Sequence, residues 1–190
     1  NGQRVTDLLQ IEGISKKDLY FYEYPEGESI EKLGLKGIYL DNYYPWHGLT
    51  NVVISSALGF EVSPRNILGT ISNYENLDNY VHGIHDYFKY LKFGFSRSTD
   101  IANNLIRRGL LSREDAIFLV SKNDGLYPSQ YLDKPISEIL ERFEITRDDF
   151  DVICDDYTNY SLFRKSSSGE LLRRPDGSPV LSSTFYDFMC

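Results

Sequence analysis

The pattern of apolar and polar positions along the chain predicts a largely helical protein. Ile84, Phe88 and Leu91 recur at helical spacing, so one face of that segment is apolar. Similar stripes follow downstream, and a Ser or Thr three residues before an Asp marks two of the helix starts. The predicted helices span residues 49–58, 81–93, 98–108, 112–122, 135–143 and 147–157, with Ser98 or Thr99 as the cap of the helix at 98–108.

Two stretches interrupt the helical pattern. The apolar run Ile-Tyr-Leu at 38–40 follows a glycine and predicts a short, buried strand. Near the other end, the Pro-Asp-Gly turn at 175–177 predicts a hairpin or a loose tail over residues 161–190. Together the patterns predict a mainly α fold with a short β element.

Composition and charge argue against several classes of function. The 190 residues carry a formal net charge of −8, so we expect no nucleic-acid partner, because phosphate binding relies on a basic surface. No apolar run approaches the roughly 20 residues that span a bilayer, so we expect no membrane span. Cys154 and Cys190 cannot form a disulfide framework, which favours a cytoplasmic protein. Because the chain begins with Asn1 rather than Met, we also expect it to be part of a longer protein.

Candidate catalytic side chains are concentrated between Gly69 and Gly125. Glu75, Asp86 and Asp100 are carboxylates suited to proton transfer or to orienting an amine. The alternative is that these carboxylates are simply solvated charges on helix surfaces. Their density in one stretch favours a functional role, so all three are predicted to be catalytic.

Side chains suited to a polar, oxygen-rich ligand lie mostly in the same stretch. The run FGFSRSTD places Arg97 beside Thr99 and Asp100, and a guanidinium can hold a phosphate or carboxylate through two parallel hydrogen bonds. The alternative for Arg97 is an ion pair within its own helix. Asp100 is expected to orient a donor such as Lys92. The predicted substrate-binding residues are Trp46, Tyr74, Lys92, Arg97 and Thr99.

Other kinds of chemistry lack the residues that they need. His82 and His85 share a helical spacing but have no recognisable third ligand, so we expect no metal site. Neither cysteine has a histidine nearby in sequence, which argues against a thiol nucleophile. No glycine-rich phosphate loop occurs, so the chain by itself is expected not to bind ATP tightly.

Four segments resemble the C-terminal half of the N-acetyl sugar amidotransferases, bacterial enzymes of surface-polysaccharide (lipopolysaccharide and O-antigen) sugar biosynthesis. The segments are LYFYEYPEGESIEKLGLKGIYLDNYYPWHGLTN, NYENLD, GIHDYFKYLKFGFSRSTDIANNLIRRGLLSREDAIFLVSKNDG and ITRDDFD, and the resemblance covers Leu19 to Asp151. The long third segment is the most specific of the four.

The resemblance implies the C-terminal half of an α/β enzyme similar to the adenine nucleotide alpha hydrolases, of ATP-pyrophosphatase type. ATP with Mg²⁺, held mainly by an N-terminal part, would activate the acetamido oxygen of an N-acetylated nucleotide sugar, and ammonia would then give an acetamidino group. A glutaminase subunit would supply the ammonia, alongside a cyclase-like subunit. On this interpretation residues 1–60 end the nucleotide-binding-like domain, 61–160 form a helical region carrying the family motif, and 161–190 form the hairpin or tail.

The chain departs from the family pattern in two respects. It lacks the family's SGGKDS-type ATP loop and N-terminal cysteine cluster, and its FGFSRSTDIANN run differs from the family's FG[FY]GRATDHAS. The replaced positions are Ser96, Ser98, Ile101 and Asn103, where the family has Gly, Ala, His and Ser. Arg97, Thr99 and Asp100 are retained and carry the family's implied site. A second hypothesis is a non-catalytic helical binding module that docks a glutaminase partner.

Overall fold

The computed structural model describes residues 4–25, 27–44 and 46–182. The chain divides into two compact units, Asn1–Gly48 and Leu49–Cys190. Among the described residues, no helix is long and apolar enough to cross a membrane.

Within its described residues, the first unit contains short helical pieces and no strand. They are 3-10 helices at Val5–Gln10, Tyr20–Tyr22 and Leu40–Asn42, and the α-helix α1 at Gly27–Leu33. Most of its aromatic side chains are exposed, including Phe21 and Tyr24.

The predicted buried strand at 38–40 is wrong. Ile38 and Tyr39 have no regular structure, Leu40 begins a 3-10 helix, and all three side chains are more than half exposed. A strand needs a neighbour for its backbone N–H and C=O groups, and none of the described residues pairs with this run. Instead the N–H of Asn42 donates to the carbonyl of Tyr39 at 3.1 Å, which turns the chain.

The second unit is built from six helices within the described residues. They are α2 Gly48–Ser56 (whose first residue closes the first unit), α3 His82–Phe93, α4 Arg97–Arg107, α5 Arg113–Asn123, α6 Ile136–Glu141 and α7 Arg147–Asp156. The mainly helical prediction is thus confirmed, and most boundaries agree to within two residues. The described residues contain no parallel sheet, so the α/β nucleotide-hydrolase-like fold stays a prediction.

A small antiparallel pair precedes α6. Strand β1, Gln130–Tyr131, pairs with β2, Lys134–Pro135. Pro135 was expected in the first turn of a helix at 135–143, but it belongs to β2 and directly precedes α6. Its ring nitrogen has no hydrogen to donate, so it suits the end of an edge strand.

The core of the second unit is aromatic and centres on α3. Tyr87, Tyr90 and Leu91 are buried there, whereas the expected stripe residues Ile84 and Phe88 are only partly buried against them. Side chains from the segment before β1, from α6, from α7 and from the segment after α7 complete the cluster: Tyr127, Ile136, Leu140, Phe150, Cys154, Phe163 and Leu181. Three tyrosines, Tyr87, Tyr90 and Tyr127, therefore lie inside this core, whereas others such as Tyr157 are exposed.

The described part of the predicted hairpin or tail is paired with itself. Three extended stretches meet through bridges between Phe163 and Leu181, Lys165 and Leu171, and Arg173 and Pro179. At their centre the backbone N–H of 164 donates to the carbonyl of 180, that of 180 to 172, and that of 172 to 164. This closed cycle satisfies backbone groups without a regular sheet. Residues 183–190 of the predicted tail lie outside the described residues.

Candidate functional site

The turn between α3 and α4 positions most of the candidate side chains. Gly94 adopts a left-handed φ of 78°, which glycine reaches at little cost, and its N–H donates to the carbonyl of Tyr90 at 2.8 Å. Only Phe95 and Ser96 separate it from α4. Ser96 is the residue that precedes the helix, so the expected cap at Ser98 or Thr99 is wrong by two residues or more. The tight turn folds the start of α4 back onto α3.

A buried carboxylate from another part of the chain caps α4. Asp124 accepts hydrogen bonds from the N–H of Ser96 (2.7 Å), the N–H of Ser98 (2.9 Å) and the hydroxyl of Thr99 (2.6 Å). Burial raises the pKa of Asp124, and the three hydrogen bonds oppose that rise. The sequence analysis missed this residue, whose only local signal is the Asp-Gly pair that ends α5.

The capping arrangement redefines the predicted role of Thr99. Thr99 is buried and its hydroxyl is committed to Asp124. In the described structure this hydroxyl holds the first turn of α4 in place. The hydroxyl hydrogen of Thr99 is already donated to Asp124, so substrate binding by Thr99 stays a prediction.

Asp86 on α3 and Arg97 on α4 form a two-point ion pair. The Nε of Arg97 lies 3.2 Å from Oδ2 of Asp86, and its Nη2 lies 3.1 Å from Oδ1. The side chain of Asp86 is 10% exposed and that of Arg97 is 25% exposed. Burial lowers the pKa of Arg97, but the hydrogen bonds and charge of Asp86 outweigh it and leave the pKa raised. Nδ1 of His85 also lies 3.0 Å from Oδ1.

This pairing corrects the expected geometry of Arg97. The guanidinium of Arg97 binds Asp86 on the neighbouring helix at two points. It therefore forms no ion pair within its own helix, and these two hydrogen bonds are not open to a phosphate or carboxylate ligand beside Thr99 and Asp100. A ligand would meet Arg97 as a fixed positive charge rather than as an unoccupied guanidinium.

Asp100 is paired with a different lysine from the one expected. Its carboxylate forms a salt bridge with Lys89, whose Nζ also lies 4.9 Å from the centre of the Phe95 ring. Lys92 instead lies over the ring of Tyr157, with 4.7 Å between Nζ and the ring centre. Asp86 and Lys89 are three residues apart on α3, so both face the start of α4.

Glu75 joins this group from the loop before α3. Burial raises the pKa of its carboxyl, the charge of Arg97 opposes the rise, and Asp86 and Asp100 reinforce it. Glu75 is half-buried, and it also helps burial to raise the pKa of the neighbouring Tyr74. We call Glu75, Asp86, Arg97 and Asp100 the carboxylate–arginine cluster.

A tyrosine from β1 fixes the loop that carries Glu75. The hydroxyl of Tyr131 donates to the carbonyl of Asn76 at 3.1 Å, and Asn76 has a left-handed φ of 56°. Burial, with the charge of Asp86 next, raises the pKa of Tyr131 to about 12, so the hydroxyl stays protonated as a donor. The conformation next to Glu75 is therefore held by the packed core and not by the loop alone.

The remaining candidates belong to the other unit or show no reactive character. Trp46 belongs to the first unit and is exposed, so its substrate role stays a prediction. Burial raises the pKa of Cys154 to about 12, which leaves it a protonated thiol. No group of three His, Cys, Asp or Glu side chains in the described ranges is arranged to hold a metal ion.

Comparison with known families bears on the region that builds this cluster. The model of the family described as "LPS biosynthesis protein WbpG-like, C-terminal domain" matches residues 68–174, more than half of the chain. The chain belongs to this family. A comparison with curated proteins found no match.

The WbpG-like domain includes the whole carboxylate–arginine cluster together with Asp124. It runs from the loop before α3 into the extended segment after α7. The family description supports a role in lipopolysaccharide biosynthesis, and it agrees with the resemblance drawn from the sequence segments.

Proposed function

We propose that the chain is the C-terminal portion of an N-acetyl sugar amidotransferase. Such an enzyme converts the acetamido group of a nucleotide sugar to an acetamidino group, with ammonia derived from glutamine, during lipopolysaccharide or O-antigen synthesis in the cytoplasm. The observation that carries the proposal is the half-buried Glu75, whose raised pKa arises beside Arg97, Asp86 and Asp100.

Glu75 is the proposed proton acceptor. When ammonia adds to the activated carbon, the new C–N bond leaves a positively charged nitrogen that must lose a proton. A carboxylate with a raised pKa takes that proton more readily than an ordinary one. The half-buried position of Glu75 keeps its carboxylate partly shielded from water, which strengthens its interaction with a cationic nitrogen.

The rest of the cluster places charge around that reaction. Asp86 holds Arg97 rigidly, so Arg97 offers a positive charge of fixed position to an oxygen that gains negative charge. Asp100 and its partner Lys89 present a second pair of opposite charges for a sugar hydroxyl or an amine. Tyr74, beside Glu75, is the proposed contact to the sugar in this unit.

The proposed cofactor is ATP with Mg²⁺, which would supply the leaving group for the acetamido oxygen. The carboxylate–arginine cluster does not fit the phosphates of ATP: the chain has no glycine-rich loop, and the fork of Arg97 is engaged by Asp86. The N-terminal start of α4 is likewise occupied by Asp124. We therefore propose that ATP is held mainly by residues outside this chain.

A second candidate is a binding module that docks a glutaminase and performs no chemistry. The exposed aromatic side chains of the first unit favour it, because clustered apolar surface often marks protein interfaces. Tyr24 and Phe21 are the most exposed of these rings. Both hypotheses place the chain next to a glutaminase, and the amidotransferase proposal adds a cyclase-like subunit.

Nitrogen transfer distinguishes the two candidates. The full-length gene product is given Mg-ATP, an N-acetylated nucleotide sugar and ammonium labelled with heavy nitrogen, and the sugar is then examined by mass spectrometry. The amidotransferase proposal expects labelled nitrogen in the sugar and release of pyrophosphate. If neither appears while the protein still binds the glutaminase, the docking function is the better account.

A further inference from the structure

A cavity in the WbpG-like domain lies beside the first turn of α4, where Thr99 and Asp124 line it. It has a volume of about 120 Å³ and lies among α4, α5, the end of α3 and the extended segment after α7. None of the four cluster residues lines it. For comparison, an apolar cavity of about 150 Å³ in another protein holds benzene.

Small side chains on two helices create this space. Ala102 on α4 and Ala116 on α5 are both buried and line the cavity, together with the larger apolar side chains Ile106 and Val120. At either position a larger side chain would fill the space that two methyl groups leave open. The interior is therefore suited to a compact apolar group of about the size of one aromatic ring.

Two arginines give this apolar cavity a positive edge. Arg113 and Arg174 both line it, and neither forms a salt bridge with any residue that the structure describes. Arg113 is the first residue of α5, in the same turn as Glu114 and Asp115. The guanidinium of Arg174 lies 3.5 Å from the hydroxyl of Tyr90 and interacts electrostatically with Asp176.

Two described carboxylates lie near this positive edge: Asp124 in the wall, and Asp176, which interacts electrostatically with Arg174. Asp124 lines the cavity, but its oxygens accept hydrogen bonds from Ser96, Ser98 and Thr99 at the positive end of α4. Its charge is thus balanced on the α4 side. An anion entering the cavity therefore lies next to two arginines, although the overall charge of the chain is −8.

We infer that this cavity binds a soluble phosphate ester of a small apolar group, with the apolar group between Ala102 and Ala116 and the phosphate on Arg113 and Arg174. A phosphate monoester carries nearly two charges and three acceptor oxygens, so it matches two guanidinium groups better than a carboxylate does. This site is independent of the proposed amidotransferase reaction.

Phenyl phosphate is the probe, titrated into the whole 190-residue chain and followed by NMR at the methyl groups of Ala102 and Ala116. Phenol lacks the anion, benzoate replaces the phosphate, and inorganic phosphate lacks the ring. We expect saturable binding of phenyl phosphate, with each of the three other compounds weaker by about tenfold or more. Equal binding of phenol or benzoate would overturn the assignment to phosphate esters, and absence of phenyl phosphate binding would overturn the site.

Variants locate the binding. Ala116→Leu fills the cavity, and Arg113→Gln removes one cation; each is expected to weaken phenyl phosphate binding by about tenfold. Lys122→Gln is the matched control, since Lys122 lies over Phe118 on α5 and does not line the cavity. If the melting curve shows that Ala116→Leu is unfolded, the Arg113→Gln and Arg174→Gln variants still test whether phenyl phosphate binds at these arginines.

Wild-type affinity in Arg113→Gln and Arg174→Gln, or an equal loss in Lys122→Gln, would contradict the proposal. Sedimentation of the unliganded chain tests a different occupant. A dimer that Ala116→Leu dissociates would mean that a second copy covers the cavity, and the proposal would then be wrong.

Discussion

The guanidinium of Arg97 and the carboxylate of Asp86 bind each other at two points across the α3–α4 turn. Nε to Oδ2 is 3.2 Å and Nη2 to Oδ1 is 3.1 Å. The carboxylate of Asp86 is almost completely shielded from water, so loss of this partner would leave a buried carboxylate without its counter-charge. The pair therefore both fixes the geometry of the carboxylate–arginine cluster and supports the fold.

Removal of Arg97 is expected to destabilise the protein. Arg97→Ala leaves a nearly buried carboxylate unpaired and should lower the free energy of unfolding by about 1–3 kcal/mol. Arg97→Lys should recover little of it, because an ammonium lacks the planar fork. Urea denaturation measures the change, with Arg107→Ala on the exposed end of α4 as the control.

A double variant tests whether the loss comes from the pair itself. In the Arg97→Ala variant, Asp86→Asn removes the unpaired carboxylate charge. It should therefore lower the free energy of unfolding by less than Asp86→Asn does in the wild type. Additive losses, or an Arg97→Ala variant as stable as the wild type, would contradict the pairing as the cause.

The capping of α4 by Asp124 leads to a second prediction. Asp124→Ala removes the acceptor of two backbone N–H groups and the Thr99 hydroxyl, and we expect a loss of about 2 kcal/mol in unfolding free energy. Asp124→Asn, which keeps one oxygen acceptor, should lose less. Asp148→Ala, at an exposed position of α7, serves as the control in the same denaturation series. A loss no larger than that of the control would argue against the cap.

The raised pKa of Glu75 predicts a pH dependence of stability. Just above the ordinary value of 4.5, Glu75 is protonated in the folded chain but ionised in the unfolded chain. Unfolding then releases a proton, so the stability of the wild type relative to Glu75→Gln should fall as pH rises through this window.

Asp149 is expected to give the opposite pH dependence of stability within the same protein. The side-chain hydrogen bond from Thr146 lowers the pKa of Asp149. The contribution of Asp149 to folding stability should therefore be present above the ordinary carboxyl pKa and be lost as pH falls below it. Urea titrations of wild type, Glu75→Gln and Asp149→Asn, carried from below the ordinary aspartate value of 3.8 to above the ordinary glutamate value of 4.5, give both slopes. Slopes of the same sign for the two residues would refute the environment described for Glu75.

The helices could be predicted because their signals are local. Gly94 ends α3, while Ser112 and Thr146 accept hydrogen bonds from the backbone N–H of residues three positions later. The apolar stripes were predicted less well, since the chain packs tyrosines such as Tyr87 and Tyr90 at the centre of its core.

The candidate site was only partly predictable, for a physical reason. Asp86, Arg97 and Asp100 were found because they lie in one short stretch, but the pairs that they form were not predicted. Asp124 reaches the N–H of Ser96 from 28 residues away, and no local pattern encodes such a contact. The strand expected at 38–40 failed for a related reason: an apolar run predicts a strand only where another strand is available to pair with it.

The central claim is that Glu75 accepts a proton during amidination by the full-length enzyme. Its most direct test is the rate of labelled nitrogen transfer from ammonium to the N-acetylated nucleotide sugar, measured for wild type, Glu75→Gln and Asp78→Asn. Asp78 is the matched control, because its exposed carboxylate lies three residues further along the same loop. We predict a decrease of about 100-fold or more for Glu75→Gln, partly reversed as pH rises and free ammonia increases, with Asp78→Asn near the wild-type rate. A Glu75→Gln enzyme that transfers nitrogen at the wild-type rate would contradict the account.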